Sequence, residues 1–383
     1  MSLHRRNATA CLILILLYSA FFYTIPFSVE RLAMNPDWKN FLGQAGAVVS
    51  DNGACHFGDP ERELQMALNG DVLSDLSHLG LIAASGNDAR TFLQSQLTSD
   101  VRQITPVHSQ LGAYCSPKGR MLASFRLFQR DDIFYIRVLR EKLEPLLNRL
   151  RMFILRADVT LVDVSNNFMA IGLSGPHAAE LLQKTLGTVP AQPEKVSHIE
   201  NLSIIRLPGI WPRFEIYGEL EKLKILWTSL AAETTPAGSE PWRWLDILAG
   251  IPTIYPQTSE AFVPQMTNLQ LLGGVSFRKG CYPGQEIVAR TQHLGKLKRR
   301  MYRARIVCDT PPQPGDSLYS AQLGPEQHAG TIVDACRHPE GGYVGLAVVL
   351  IDCIEQGPVL LGSADGAPLA FEPLPYSFDS AVA

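Results

Sequence analysis

The sequence predicts an α+β fold followed by a small all-β domain, and three observations lead there. Between residues 79 and 173, strand-like and helix-like apolar runs follow one another. Their connections are too short for parallel crossovers, which favours antiparallel sheets with helices on one face. After about Lys296 the texture changes to short apolar runs divided by proline and glycine turns, the pattern of a small barrel or sandwich. A composition of 46% hydrophobic and 19% charged residues in 383 is ordinary for a globular protein and ample for a sizeable core.

Residues 34–70 are expected to be mostly irregular, with one short helix. Asp59-Pro60-Glu61 starts it: a side-chain cap, then a proline whose missing N–H does no harm. Leu79–Ser85 reads as a strand, and a helix follows from about Asn87 with Ala89, Phe92, Leu93 and Leu97 on one face. Leu111–Ser116, Arg120–Gln129 and Ile133–Leu139 form an antiparallel meander, divided at Pro117-Lys118-Gly119 and at Arg130-Asp131-Asp132. Leu143, Leu146, Leu147, Leu150 and Ile154 mark an amphipathic helix. Val159–Val164 and Phe168–Leu173 are strands, and Gly175-Pro176 opens a helix. Residues 187–200 read as loop, Ile204–Leu207 and Phe214–Tyr217 as strands, and 219–233 as helix. Pro236–Pro241 reads as a linker, and Trp242–Ala249 as a short helix stopped by Gly250 and Pro252. The expected divisions are 1–33, 34–165, 166–295 and 296–378.

A net charge of −3 gives no overall attraction to nucleic acid or membrane. The seven cysteines are scattered and never spaced C-x-x-C, which argues for reduced, cytoplasmic thiols and against a disulfide framework or a metal site. The amino terminus conflicts with this. Asn7 to Val29 carries no charge and follows Arg5 and Arg6, and a membrane helix needs about 20 apolar residues. No small-x-small cleavage site follows it. We expect translation to begin at Met34; membrane association is expected only if residues 7–29 are real.

The most unusual stretch is Lys279-Gly280-Cys281-Tyr282-Pro283-Gly284-Gln285-Glu286. Arg278 and Lys279 precede the cysteine, and neighbouring cations favour thiolate. Gly280 and Gly284 permit backbone geometry closed to other residues. Pro283 suits the first residue of a helix through Ile287, Val288 and Arg290, which would place Cys281 at a helix amino terminus. A packed cysteine in a tight turn is the plain alternative.

This octapeptide resembles the K-G-C-Y-x-G-Q-E signature of the YgfZ family of folate-binding proteins. Surrounding pieces occur in the matching order: Thr91–Val101, Tyr114–Arg120, Ala249–Pro252, Phe262–Gln265, Thr267–Leu269, Gly273–Phe277, Ile287–Arg290 and Glu372–Ser377. The resemblance covers residues 76–378. It implies an aminomethyltransferase-like fold: two intertwined α+β domains around a central folate pocket, with a carboxy-terminal β-barrel. It also implies tetrahydrofolate, or a one-carbon derivative, as cofactor. The implied role is accessory, in assembly or repair of iron–sulfur enzymes, including those that modify tRNA. Reduced folate and iron–sulfur enzymes or assembly proteins are the implied partners.

Cys281 is then the reactive residue, supported by Lys279, Gly280, Tyr282, Gly284, Gln285, Glu286 and Arg290. Trp242 matches a stacking position for the pterin or benzoyl ring, and Leu79 falls where some relatives place a second tryptophan. The catalytic aspartate of the aminomethyltransferase is matched by Ala123 and Ser124, and a pterin-binding carboxylate by Leu248, with Asp246 facing elsewhere. Folate binding without aminomethyl transfer is therefore expected. A one-carbon transferase and an RNA- or DNA-binding regulator are the competing readings. The second would use the basic cluster Lys296, Lys298, Arg299, Arg300, Arg303 and Arg305, which reads more simply as a charged barrel edge. His293 is near enough in sequence to assist Cys281 but reads as structural.

Overall fold

The computed structural model describes residues 34–295, 297–323 and 327–378. The expected start at Met34 and the apolar run 7–29 concern residues that lie outside these, as does Lys296. No described helix is long and apolar enough to cross a membrane.

The first sheet is the expected meander, completed by its flanking strands. Its order is Gln110–Cys115, Met121–Arg130, Ile133–Leu139, Leu79–Ser85 and Thr160–Asp163, every neighbour antiparallel. Two-residue register through Asp131-Asp132, with Asp131 at φ 52°, closes one hairpin. The helices Ala89–Gln96 and Arg140–Arg151 bury Phe92, Leu93, Leu143, Leu146, Leu147 and Leu150 in one apolar core with Ile82, Phe125 and Ile136 of the sheet.

The second sheet has six strands in the order Val196–Ile199, Leu202–Leu207, Arg213–Gly218, Met169–Ser174, Val72–Asp75 and Thr235–Ala237. Its fifth strand, Val72–Asp75, stands in the chain just before the first-sheet strand Leu79–Ser85, yet pairs with Met169–Ser174 of the second sheet. That crossing is what intertwines the two α+β units. Helices Ala178–Leu186 and Leu220–Ala231 cover it, joined by Trp38 of an amino-terminal helix, Pro36–Gln44.

Three local expectations are corrected. Residues 34–70 are not mostly irregular: they hold two helices, Pro36–Gln44 and Pro60–Asn69, and a hairpin of Val48–Ser50 with Gly53–His56. Asp59 does cap the second helix, accepting from the Arg62 N–H at 3.0 Å. Residues 187–200 include the strand Val196–Ile199, whose polar face is tolerated at a sheet edge: His198 bonds Ser203 and the Gln129 carbonyl. The linker at Pro236 is a short parallel edge strand, where a proline costs no ladder bond, and the next helix already starts at Ser239.

The carboxy-terminal domain is a curled six-stranded sheet from Arg299–Ile306 to Leu369–Glu372. Its edge strands meet through a bridge between Leu360 and Pro368. The strand Leu369–Glu372 and the helix Ile351–Gln356 complete the runs expected from sequence.

Candidate functional site

The cysteine loop is held against the first sheet from two sides. On one side the segment before it is stitched to the end of the helix Ala89–Gln96. Thr98 Oγ1 donates to the Gly274 carbonyl at 2.7 Å, and the Ser276 N–H donates to the Thr98 carbonyl at 2.9 Å. Lys279 continues this seam: its Nζ donates to the carbonyls of Leu97 and Ser99 at 2.5 and 2.9 Å, and lies 5.2 Å from the Tyr282 ring centroid. Burial pulls its pKa down to about 8 against the opposing pull of Asp100. The expected service of Lys279 as a counter-charge to Cys281 therefore gives way to a structural one, because its ammonium is enclosed by main-chain carbonyls.

On the other side, two glycines interlock. Gly284 has φ 79°, and a Cβ there would lie 2.4 Å from the Ser116 carbonyl oxygen and 2.6 Å from the Gly119 nitrogen. Gly119, at φ 69°, would in turn place a Cβ 2.9 Å from that of Ile287. The turn Pro117-Lys118-Gly119 and the start of the next helix thus approach as bare backbone. That helix is Gln285–His293, so Pro283 is not its first residue: the left-handed Gly284 intervenes as cap. Cys281 precedes the first helical turn rather than sitting in it. Gln285 donates back to the Lys279 carbonyl at 3.4 Å, closing the loop.

Cys281 is exposed, as are Gly280, Glu286 and Arg290, and Tyr282 is buried beneath them. The neighbouring thiol of Cys115 is the opposite case: burial pushes its pKa up to about 12. His293 packs its ring edge-on to Phe277 at 5.7 Å.

A cleft lies between the first sheet and the segment after Gly250, lined by Leu79, Leu111, Ser124, Arg137, Ile251 and Thr253 among others. Leu79 lines it, but the cleft encloses only about 20 Å³, room for a single water rather than a pterin. Its walls are apolar, with Phe125 as an aromatic member, and its one charged group is Arg137. Cys281 does not line it. The strand Gln110–Cys115 contacts the cleft near Leu111 and the cysteine loop near Cys115, about 13 Å further along at 3.3 Å per residue. Trp242 does not line it either. It is fully buried, with Gly172 against one part of its ring, where a Cβ would come within 2.5 Å, and the Arg213 guanidinium 4.2 Å from its centroid. Both surroundings belong to the protein, so the indole has no face open to a ligand.

Behind Arg137 stands a group that the sequence did not single out. Arg137 Nη2 donates to Glu215 Oε1 at 2.6 Å, and the Tyr217 hydroxyl donates to Glu215 Oε2 at 2.6 Å. Burial raises the Glu215 pKa, but Arg137 and Arg126 outweigh it and hold the carboxyl below its usual range. The available signal was a charge inside an otherwise apolar strand, in Ile133–Leu139 and in Arg213–Gly218. Asp246 forms an ion pair with Arg213 under Trp242. Leu248 is half-buried and offers only its carbonyl, to Arg303.

The basic strand is mostly engaged within the barrel: Arg299 bonds the carbonyls of Ala329 and His328, Arg303 pairs with Glu372 at 3.0 Å, and Arg305 bonds the Gly341 carbonyl. Among the described residues no cluster of three or more His, Cys, Asp or Glu could hold a metal ion.

The model of the GCVT N-terminal domain matches residues 54–270. The tRNA-modifying protein YgfZ of Colwellia psychrerythraea is 34% identical over 80% of this chain and 93% of its own. Its namesakes from Klebsiella pneumoniae and Escherichia coli are 30% and 31% identical over 81% and 80% of this chain, and 94% of theirs. The chain belongs to the YgfZ family. Its fold is that of the glycine cleavage system aminomethyltransferase T from Bartonella henselae, with a TM-score of 0.71 at 17% identity, covering 88% of this chain and 96% of that one. Within this YgfZ-family fold, the positions expected to match the aspartate are the buried Ala123 and the half-buried Ser124, whose hydroxyl donates to the Pro252 carbonyl and accepts from the Ile254 N–H.

Proposed function

We propose that this YgfZ-family protein is an accessory factor in tRNA modification, acting in assembly or repair of the iron–sulfur enzymes that perform it. The observation that carries the reading is an exposed Cys281 on a loop anchored at Lys279 and at the Gly119–Gly284 contact. A thiol fixed in position yet open to solvent suits exchange with a partner protein, as cluster ligand, sulfur acceptor or redox group. The free cysteines among the described residues suit a reducing, cytoplasmic setting. A Cys281→Ser variant should fold normally but fail to restore iron–sulfur-dependent tRNA modification in a bacterial strain lacking its own YgfZ-family gene. Full restoration would remove the thiol from the mechanism.

We assign the central cleft to a reduced folate. Its apolar walls and the Arg137–Glu215 pair suit a pterin with polar edges, but its 20 Å³ do not hold one as it stands. Leu79 and its neighbours must part for the ring to enter. Calorimetric titration with tetrahydrofolate should show saturable binding that Leu79→Ala alters and Cys281→Ser leaves unchanged. Absence of heat and of any thermal stabilisation would reject the assignment.

Aminomethyl transfer is not part of this proposal. No carboxylate stands at Ala123 or Ser124, and the Ser124 hydroxyl is committed to main-chain partners. Tetrahydrofolate-dependent ammonia release from an aminomethylated carrier should be absent.

A further inference from the structure

A second pocket, away from the central cleft, is the roomier of the two. At about 350 Å³, it opens between the helix Arg140–Arg151, the hairpin strands and the turn at Ser259. That volume falls within the range of small-molecule sites, about 300–1,000 Å³. Leu122, Ala123, Pro145 and Leu146 give it apolar walls, and Met152, 65% exposed, stands at its mouth.

Beside Tyr114, Asn148 and Ser259 the pocket holds two cations, Lys142 and Arg149, and no carboxylate. Lys142 is 8% exposed, and its Nζ donates to Ser259 Oγ at 3.1 Å; no carboxylate pairs with it among the described residues. Burial, with no opposing anion, lowers its pKa. Arg149, half-buried and seven residues or about two helical turns along the same face, lies 6.0 Å from the Tyr114 ring centroid and bonds the Tyr114 side chain. Its Nε is buried and has no hydrogen-bond partner among the described residues, and it too lacks an ion pair there. By contrast, Arg137, Arg213 and Arg243 are paired with Glu215, Asp246 and Asp334. Burying a cation without a partner is costly unless something else supplies the anion.

We propose that this pocket binds a small amphipathic carboxylate: the carboxylate between Lys142 and Arg149, an apolar body against Leu122, Pro145 and Leu146, under Met152. The pocket is separate from the folate cleft and shares none of its lining residues. An acidic peptide end is the rival occupant. The depth of Lys142 favours the small molecule, because a chain end would have to enter between helix and hairpin.

The test uses the whole protein and 2-naphthoate as probe, read by calorimetry, with 2-naphthamide as its uncharged counterpart. Naphthoate should bind about tenfold or more tightly than the amide, in keeping with a charge-assisted contact. Lys142→Met and Arg149→Met should each remove that preference, and saturating tetrahydrofolate should not displace the probe. Either variant alone suffices if the other fails to fold. Equal affinity for acid and amide, displacement by folate, an unchanged preference in both variants, or binding of a leucine-terminated peptide but not of naphthoate would each overturn the proposal.

Discussion

Cys281 and Cys115 are the same chemical group under opposite conditions, one exposed and one sealed within the first sheet. With a thiol reagent at pH 8, native protein should label quickly at Cys281 and Cys55, both exposed, while Cys115, Cys336 and Cys353 wait for unfolding. Cys281→Ser should delete one fast equivalent; an unchanged fast phase would mean that the loop hides its sulfur. Lys279 makes a second case. Replacing it by alanine strips two buried carbonyls of their donor and leaves a gap, which should cost about 2–4 kcal/mol in denaturant titration. Its titration also has a sign. The folded group releases its proton near pH 8, whereas the unfolded one holds it to its ordinary 10.5. Between those values the unfolded chain binds more protons, so stability from this group rises with pH. Wild-type protein should gain on Lys279→Met as pH is raised through that window, and a constant gap would contradict the buried ammonium.

Among elements, the helix Gln285–His293 depends on a contact made by two residues without side chains. Gly284→Ala would force an L-residue into left-handed backbone and drive its methyl group into the turn at Ser116–Gly119. A loss of about 2 kcal/mol or more is expected by chemical denaturation. This element also shows what the sequence made legible. Its glycines, the cysteine and the helix after them were all readable, because local backbone demands leave local marks. The misplaced start, at Pro283 instead of Gln285, arose because proline suits both a first helical turn and the turn before it. The missed strand Val72–Asp75 has a different cause. Only its first two residues are apolar; Ser74 and Asp75 look like surface, yet Asp75 accepts buried bonds from Trp38, Ala54 and Ser77. Partners that far apart in the chain leave no periodic signal.

At the level of the whole molecule, the polar contacts between units decided what the sequence could not. Arg137 and Glu215 are separated by 78 positions, and neither strand alone indicates that its charge has a mate. Trp242 was readable as a flat aromatic at a ligand-binding position, but its burial depends on Gly172 and Arg213, which the second sheet supplies. The barrel is joined in the same manner: Asp334, fully buried, accepts from Arg243 of the helix Ser239–Leu248 and from the Tyr255 hydroxyl. Removing it in Asp334→Ala would leave that guanidinium unpaired, and a loss of about 3–5 kcal/mol is expected. Barrel and α+β units should then melt separately in calorimetry, where the wild type should give one transition; a single transition in the variant would show that apolar contacts alone couple them.

The meeting of Gly119 with Gly284 has an evolutionary corollary. Each position is small because the other is close, so the two form a single constraint shared by motifs 165 places apart in the numbering. A relative that acquires a side chain at one should show a compensating retreat at the other, in a lengthened hairpin or a displaced cysteine loop. Where that retreat has occurred, the sulfur will be presented from a different height above the sheet, and its exchange partner should have changed with it.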